Sequence, residues 1–215
     1  MKRNANIITA AVSGSSAVIL ILLIRFVDVA PIGPQGTSIG LSHLNCAVFE
    51  WFGVDLLWYH ITDWLGIAAI LTALLFAVTG FVQLVKRKSL MKVDREILTL
   101  GGLYIVVIGL YLLFETAIVN YRPIIMPDNT HPEASFPSSH TMLVCVIMGS
   151  AVMMIGKYIK NKALCSVLQT VCAVIIAVTV VGRLISDVHW LTDIIGGILI
   201  SIALLSLCAK VKSNE

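Results

Sequence analysis

Residues 182–208 read GRLISDVHWLTDIIGGILISIALLSLC, a short polar segment followed by a long apolar one. Arg183, His189 and Asp193 fall in the first part, and no charged residue follows Asp193 within this stretch. An apolar run of about 20 residues is long enough to cross roughly 30 Å of bilayer hydrocarbon as a helix. The stretch therefore predicts a membrane span that begins beside a cluster of ionisable side chains.

The whole chain has the same apolar character. Of its 215 residues 58% are hydrophobic and 13% charged, and the mean hydropathy is +0.95, far from the usual composition of soluble globular proteins. Candidate spans cover about residues 7–27, 65–85, 98–119, 140–158, 163–182 and 188–208. The sequence predicts an all-α polytopic membrane protein with six transmembrane helices, forming a single domain over residues 1–215.

The basic residues predict the topology, because short loops rich in Lys and Arg stay in the cytoplasm. With both termini inside, 12 of the 15 basic residues face the cytoplasm: Lys2, Arg3, Lys86, Arg87, Lys88, Lys92, Arg95, Lys157, Lys160, Lys162, Lys210 and Lys212. Arg25, Arg122 and Arg183 then lie outside. We expect a multi-pass protein of the cell membrane whose first span is retained, since its apolar run is longer than that of a signal peptide.

The segment of about residues 28–64 is expected on the outer side. It begins with a turn at residues 31–36 and continues with the aromatic residues Trp51, Trp58 and Trp64. Polar residues alternate with them, at Glu50, Asp55, His60 and Asp63. This pattern predicts a short amphipathic helix in the membrane interface, where tryptophan is favoured. Such a helix sets the depth of the bundle or gates the entry of a lipid headgroup.

Two further polar segments, Tyr121-Arg122-Pro123 and Pro137-Ser138-Ser139-His140, are expected on the same side. Ionisable residues at the edge of a membrane are costly and are candidates for function. The guanidinium forks of Arg122 and Arg183 match the oxygens of a phosphoryl group in its transition state. A serine cap beside His140 makes an anion site at the start of the fourth span, although a cap with no chemical role would also explain the serines.

The four-residue spacing of His189 and Asp193 places both side chains on one face of a helix. Asp193 can then accept the Nδ1 proton of His189, which leaves Nε2 free to attack phosphorus. The alternative is a polar pair that only caps the sixth span. A metal site that also uses His140, with Glu115 or His131, is less favoured, because two nearby arginines oppose a cation.

These residues resemble the type 2 phosphatidic acid phosphatase (PAP2) family, membrane lipid phosphatases related in fold to vanadium haloperoxidases. The family pattern is Lys-x6-Arg-Pro, Pro-Ser-Gly-His and Ser-Arg-x5-His-x3-Asp. The corresponding residues are Glu115-x6-Arg122-Pro123, Pro137-Ser138-Ser139-His140 and Gly182-Arg183-x5-His189-x3-Asp193. The resemblance implies that His189 is the nucleophile, Asp193 its partner and His140 the general acid. Arg122, Arg183 and the amides of Ser138 and Ser139 would bind phosphate, with Tyr121 as an auxiliary residue.

Three positions depart from this pattern. Ser139 replaces glycine, which a helical backbone tolerates, and Gly182 replaces serine, which removes one phosphate contact. Glu115 replaces lysine and exchanges a cation for an anion. Three explanations stay open: Glu115 pairs with Arg122 or Arg25, which we favour; it is protonated and donates a hydrogen bond; or activity or substrate has changed. Arg25, at the outer end of the first span, is a candidate for the missing charge.

The expected reaction is hydrolysis of a lipid phosphomonoester or diphosphate through a phosphohistidine, without a metal or other cofactor. The resemblance and the outward site favour undecaprenyl diphosphate, with phosphatidic acid and phosphatidylglycerol phosphate as further substrates. The expected partners are this lipid and the bilayer, with no nucleic acid. The alternatives are a lipid phosphotransferase that uses the same intermediate and a non-catalytic phospholipid-binding or transport protein.

Overall fold

The computed structural model describes residues 2–127 and 129–212. Within them the chain forms seven α-helices: α1 (Lys2–Phe26), α2 (Ser42–Phe52), α3 (Leu56–Arg87), α4 (Arg95–Thr116), α5 (Ser139–Tyr158), α6 (Lys162–Ile185) and α7 (Leu191–Lys212). Two short 3-10 helices cover Pro34–Gly36 and Leu90–Lys92. The side chains of Lys2, Arg3, Lys210 and Lys212, four of the residues expected in the cytoplasm, lie outside this description.

Six of these helices, α1 and α3 to α7, are long and apolar enough to cross a membrane. The prediction of an all-α protein with six candidate spans is therefore confirmed, with shifted boundaries. The second span begins at Leu56 instead of about residue 65, because Asp55 accepts hydrogen bonds from the amides of Leu57 (2.9 Å) and Trp58 (3.3 Å) and so caps α3. The predicted interfacial helix is thus two elements, α2 and the first turns of α3.

The helix α2 has a packing role at the start of α7. The side-chain oxygen of Asn45 accepts a hydrogen bond from the amide of Thr192 (3.3 Å), one of the first-turn amides that a helix leaves unpaired. Phe49 lies against Trp190, with 5.6 Å between ring centroids. Trp51 is 84% exposed on the outer surface of α2, as expected for a residue at a membrane interface. This helix therefore holds the start of α7 in place.

The core of the bundle forms around α5. In its apolar window 56% of the residues are buried, compared with 11% for α3 and for α6, so α5 is the central helix and those two face outward. Met142 and Val146 of α5 pack with Leu100 of α4 in one cluster. Val144 and Met148 belong to a second cluster, shared with α3 and α6. The helices α1 and α7 pack against each other at one side of the bundle.

One end of the bundle, which we call the site end, collects the predicted polar segments. The helices α1, α4 and α6 finish there, and α3, α5 and α7 begin there. The connection between α4 and α5 folds back on itself, since the backbone of Tyr121 bridges to that of Ala134 and the amide of Ser135 donates to Asn120 (2.9 Å). Arg87, Arg95, Lys157 and Lys162 lie at the opposite end. Which end faces the cytoplasm stays a prediction.

Close packing between α3 and α6 depends on Gly182. A Cβ atom at this position would lie 2.6 Å from Cγ2 of Thr62 and 2.9 Å from Cε3 of Trp58. The residue therefore faces another helix. The predicted loss of a phosphate contact through its replacement of serine is wrong for this structure, because a side chain there has no room beside α3.

We expect the substitution Gly182→Ser to destabilise the protein by about 1–3 kcal/mol, because the new side chain forces α3 away from α6. Thermal unfolding of the purified protein in detergent would measure this. Gly101→Ser is the matched control, since a Cβ atom at Gly101 meets nothing within 4 Å. Equal melting temperatures for the two variants would contradict the packing role of Gly182.

Candidate active site

His189 and Asp193 are joined through a third side chain, that of Ser135. The hydroxyl of Ser135 donates to Oδ2 of Asp193 (2.5 Å), and its oxygen lies 3.0 Å from Nδ1 of His189. The direct Nδ1 to Oδ2 distance is 3.9 Å, too long for a hydrogen bond. The predicted direct bond is therefore wrong, because α7 begins at Leu191 and His189 does not lie one helical turn before Asp193.

The serine bridge determines the tautomer of His189. Because the Ser135 proton is directed to Asp193, its oxygen is left to accept the Nδ1 proton of the histidine. Nε2 then carries a lone pair and no proton. It is buried and has no hydrogen-bond partner among the described residues. The sequence predicted this free lone pair on Nε2. It also predicted that Asp193 accepts the Nδ1 proton directly, whereas here Ser135 accepts it.

Asp193 is fully buried and fixed from several directions. Its Oδ2 atom also accepts from the amide of Trp190 (2.9 Å), and the side-chain amide of Asn120 lies 3.4 Å from Oδ1. The backbone oxygen of Asp193 accepts from the amide of Ser138 (3.0 Å), which joins the starts of α5 and α7. The indole of Trp190 donates to the carbonyl of Tyr121 (2.7 Å). Tyr121 therefore contributes to the site through its backbone.

The pKa of His189 lies well below the ordinary value of 6.5. Burial is the main cause, and the positive charges of Arg122 and Arg183 and the nearby His140 add to it. Arg122, Arg183 and His140 are therefore the basic groups near the His189 ring. His189 is therefore a neutral imidazole at physiological pH.

The two arginines hold their guanidinium groups partly unpaired. Nε and Nη1 of Arg122, and Nε and Nη1 of Arg183, are buried without a hydrogen-bond partner in the described part of the chain. Nε of Arg122 lies 3.4 Å from Glu133, an ion-pair contact that lacks hydrogen-bond geometry. Leaving such donors unpaired is costly, and a tetrahedral anion would satisfy them. Arg122 lines the same small cavity as His189, and both arginines are close enough to His189 to act on its charge.

Asp63 holds Arg183 and His140 together, and sequence reasoning missed it. Nη2 of Arg183 donates to Oδ1 of Asp63, and Nε2 of His140 lies 3.0 Å from the same oxygen. The Arg183 guanidinium also lies over the ring of Tyr59, 4.8 Å from its centroid. We expected Asp63 in an interfacial helix, whereas it lies in the third turn of α3. The sequence feature that could have identified Asp63 is a lone carboxylate beside a long apolar run, which is costly in a membrane helix unless it is paired.

The two serines before His140 differ in whether their backbone amides are already hydrogen-bonded. Ser138 occupies the N-cap position of α5, but its side chain makes no cap and instead accepts a hydrogen bond from Thr141 (3.0 Å). Because its own amide is bonded to Asp193, the predicted contact of the Ser138 amide with phosphate is wrong here. Ser139 begins α5, where the first amides have no partner within the helix. Of the two, Ser139 is the one that remains available to an anion.

Two adjoining cavities open at these residues. A small cavity of about 20 Å³ is lined by Glu115, Arg122, Ser135, Ser139 and His189, among others. A larger cleft of about 300 Å³ lies between α3, α4 and α5, and its wall is mostly apolar. Asp63 and His140 are among its few polar residues, and Tyr111, Ser139 and Met142 line both spaces. The arrangement places a polar chamber at one end of an apolar cleft.

The structure does not give Glu115 the expected partners. Glu115 lines the small cavity, but among the described residues no ion pair joins it to Arg122 or Arg25. Arg25 is exposed and donates to the carbonyl of Ile118, just after α4, and it is not among the residues that line the cavity. The favoured pairing of Glu115 is therefore wrong, and Arg25 does not supply the missing charge in this structure.

Comparisons with known proteins agree with this architecture. Residues 98–215, more than half of the chain, match the family model of the PAP2 superfamily. The fold is similar to the crystal structure of the first transmembrane PAP2 type phosphatidylglycerolphosphate phosphatase from Bacillus subtilis, with a TM-score of 0.65 and 15% identity over 96% of each chain. A search among curated protein sequences gave no match. The resemblance found in the motifs is confirmed, and the chain belongs to the PAP2 superfamily.

Proposed function

We propose that this protein is a membrane lipid phosphatase that works through a phosphohistidine at His189. Membership of the PAP2 superfamily supports phosphatase activity on lipid phosphates. The observation that carries the mechanism is the unpaired, buried Nε2 atom of His189 beside four unpaired nitrogen atoms of Arg122 and Arg183. A neutral nucleophile next to unpaired guanidinium donors fits phosphoryl transfer better than a structural role.

In the proposed reaction the Nε2 lone pair of His189 forms a bond to phosphorus, and the bond from phosphorus to the leaving oxygen breaks. The ring becomes positively charged, and the Ser135 and Asp193 network stabilises its Nδ1 proton. Arg122 and Arg183 bind the equatorial oxygens, where negative charge accumulates. His140 gives a proton to the leaving oxygen, then takes one from the water that hydrolyses the phosphohistidine.

The apolar cleft supports a lipid substrate. Ile67, Ile70 and Leu143 line it, and it reaches His140 at the point where it adjoins the small polar cavity. A lipid chain in the cleft would bring its ester oxygen to His140 and its phosphate to the arginines. In this binding mode the leaving oxygen would lie on the His140 side of the phosphorus atom, and His189 on the other side. In-line displacement requires this order.

The cleft also bears on which lipid phosphate is cleaved. A diphosphate would leave its inner phosphate on the side of His140, where the residues lining the cleft include the carboxylate of Asp63 and neither Lys nor Arg. This charge distribution favours a phosphomonoester. It runs against the expectation of undecaprenyl diphosphate, which stays a prediction from resemblance and topology. Phosphatidic acid is a phosphomonoester and phosphatidylglycerol phosphate carries a terminal one, so both offer the group that this charge distribution favours.

Purified protein in detergent should release inorganic phosphate from phosphatidic acid, and faster than from undecaprenyl diphosphate. Activity should persist in EDTA and disappear in the variant His189→Ala, because that variant lacks the nucleophile. A phosphorylated acceptor in place of free phosphate would indicate the transferase. If His189→Ala were as active as the unsubstituted protein, the mechanism would be refuted, and no turnover of any lipid phosphate would favour the binding or transport protein.

The substitution Ser135→Ala should lower kcat on the order of 100-fold with little change in KM, because His189 loses its link to Asp193. Steady-state phosphate release would measure both constants. Thr99→Ala is the matched control, since its hydroxyl bonds only within its own helix, at the opposite end of the bundle. A kcat within about twofold of the control would contradict the proposed serine bridge.

The substitution Glu115→Gln should lower KM for phosphatidic acid by about threefold to tenfold, because a carboxylate in the cavity wall repels phosphate. The matched control is Glu50→Gln, which removes an exposed carboxylate on α2. An unchanged or higher KM in Glu115→Gln would show that this carboxylate does not act on the phosphate by repulsion.

A further inference from the structure

We propose that Asp63 is the positioning residue of the general acid: by accepting the Nε2 proton of His140, it leaves Nδ1 to deliver the proton to the lipid oxygen. This inference rests on the proposed function and concerns a residue outside the three family motifs. Oδ1 of Asp63 lies 3.0 Å from Nε2 of His140. Nδ1 of His140 is buried and unpaired among the described residues, so it is the nitrogen left for a substrate.

One face of α3 is shaped for this contact. Tyr59, Asp63 and Gly66 follow each other at spacings of four and three residues, which places them on the same side of the helix. At Gly66 a Cβ atom would lie 3.1 Å from Cδ2 of His140, so the small residue leaves room for the imidazole ring. The Tyr59 ring lies against the guanidinium of Arg183. The helix thus supplies a support for both basic groups.

The charges around His140 give Asp63 a further effect. The cations near His140 are Arg183 of α6 and Arg122 of the connection before α5, and His189 is the other basic group nearby. Asp63 is the carboxylate in contact with the ring, and it stabilises the protonated form that an acid needs. Without Asp63, no carboxylate in contact with the ring would offset the positive charges of the two arginines.

The proton transfer balances with this geometry. In the first step the Nδ1–H bond of the His140 imidazolium breaks, and an O–H bond forms on the departing lipid oxygen, which keeps the electron pair of the broken phosphorus–oxygen bond. His140 is then neutral, because Nε2 keeps its proton and donates it as a hydrogen bond to Asp63. In the second step Nδ1 takes a proton from water, whose oxygen bonds to phosphorus, and the phosphorus–nitrogen electron pair returns to His189.

The test compares two substrates that carry the same dodecyl chain, an alkyl phosphate and a nitrophenyl phosphate. Alcohols leave poorly without a proton, whereas a nitrophenolate leaves readily without one. In Asp63→Asn we expect kcat to fall on the order of 100-fold for the alkyl phosphate and by less than about fivefold for the nitrophenyl phosphate. Equal losses on both substrates would mean that Asp63 is only structural, and the proposal would be overturned.

Two further variants keep the test decisive. Asp63→Glu retains the carboxylate and should recover a large part of the alkyl phosphate activity. If Asp63→Asn does not fold, Asp63→Ser also lacks the carboxylate and replaces it as the test variant, with the same expected difference between the two substrates. In a His140→Gln background, Asp63→Asn should add little further loss, because it acts through the histidine. Additive losses would refute the proposal. If the unsubstituted protein hydrolyses neither substrate, the proposed function fails first, which distinguishes the two failures.

Discussion

The site depends on two guanidinium groups that are buried at one end of an apolar helix bundle. Arg183 is fully buried and the side chain of Arg122 is 15% exposed. Transfer of a charge out of water costs several kcal/mol when it is complete, unless the charge is paired. Asp63 and Glu133 pair one side of each group, and Tyr59 covers Arg183. Other donors of each group remain without a partner. These unpaired donors are the atoms of the two groups that an anion could bind.

The same burial acts on His189, the proposed nucleophile. Desolvation and the two arginines lower the pKa of His189, so the ring is neutral before substrate arrives. The bridge through Ser135 directs its single proton away from the cavity. A bound lipid phosphate would offset the positive charges of the two arginines. The ring of His189, which becomes positive in the proposed reaction, would then be repelled less by them. In the proposed mechanism, binding of the anion and activation of His189 therefore depend on the same two arginines.

The sequence predicted the spans and the family well, because both depend on local signals, whereas the roles of the motif residues stay predictions. Apolar runs of the right length identify membrane helices, and fixed spacings identify Arg122, His140, Arg183 and His189. It could not predict contacts between distant residues. Ser135 and Asp193 are 58 positions apart, and Asp63 and Arg183 are 120 apart, so only the packing of α3 against α6 and of the loop against α7 brings them together.

Local rules also failed where tertiary contacts replaced them. Ser138 should cap α5 by propensity, but its amide bonds Asp193 and its hydroxyl bonds Thr141, which ties two helix starts together instead. The predicted helical pair of His189 and Asp193 is interrupted because Trp190 turns its amide to the aspartate. In both cases a buried backbone amide, that of Ser138 or of Trp190, forms a hydrogen bond with Asp193 that the sequence pattern did not predict.

The charges of the site limit what it can bind. Arg122 and Arg183 bring two positive charges, while Asp63, Glu115 and Glu133 bring carboxylates to the same region. The family motif has a lysine at the position of Glu115, so this site carries one cation fewer and one anion more. A phosphomonoester needs charge compensation at one phosphorus only, which the arginines supply. A diphosphate needs it at two, and in the proposed binding mode the second would lie beside Asp63, which we propose as the positioning residue of His140.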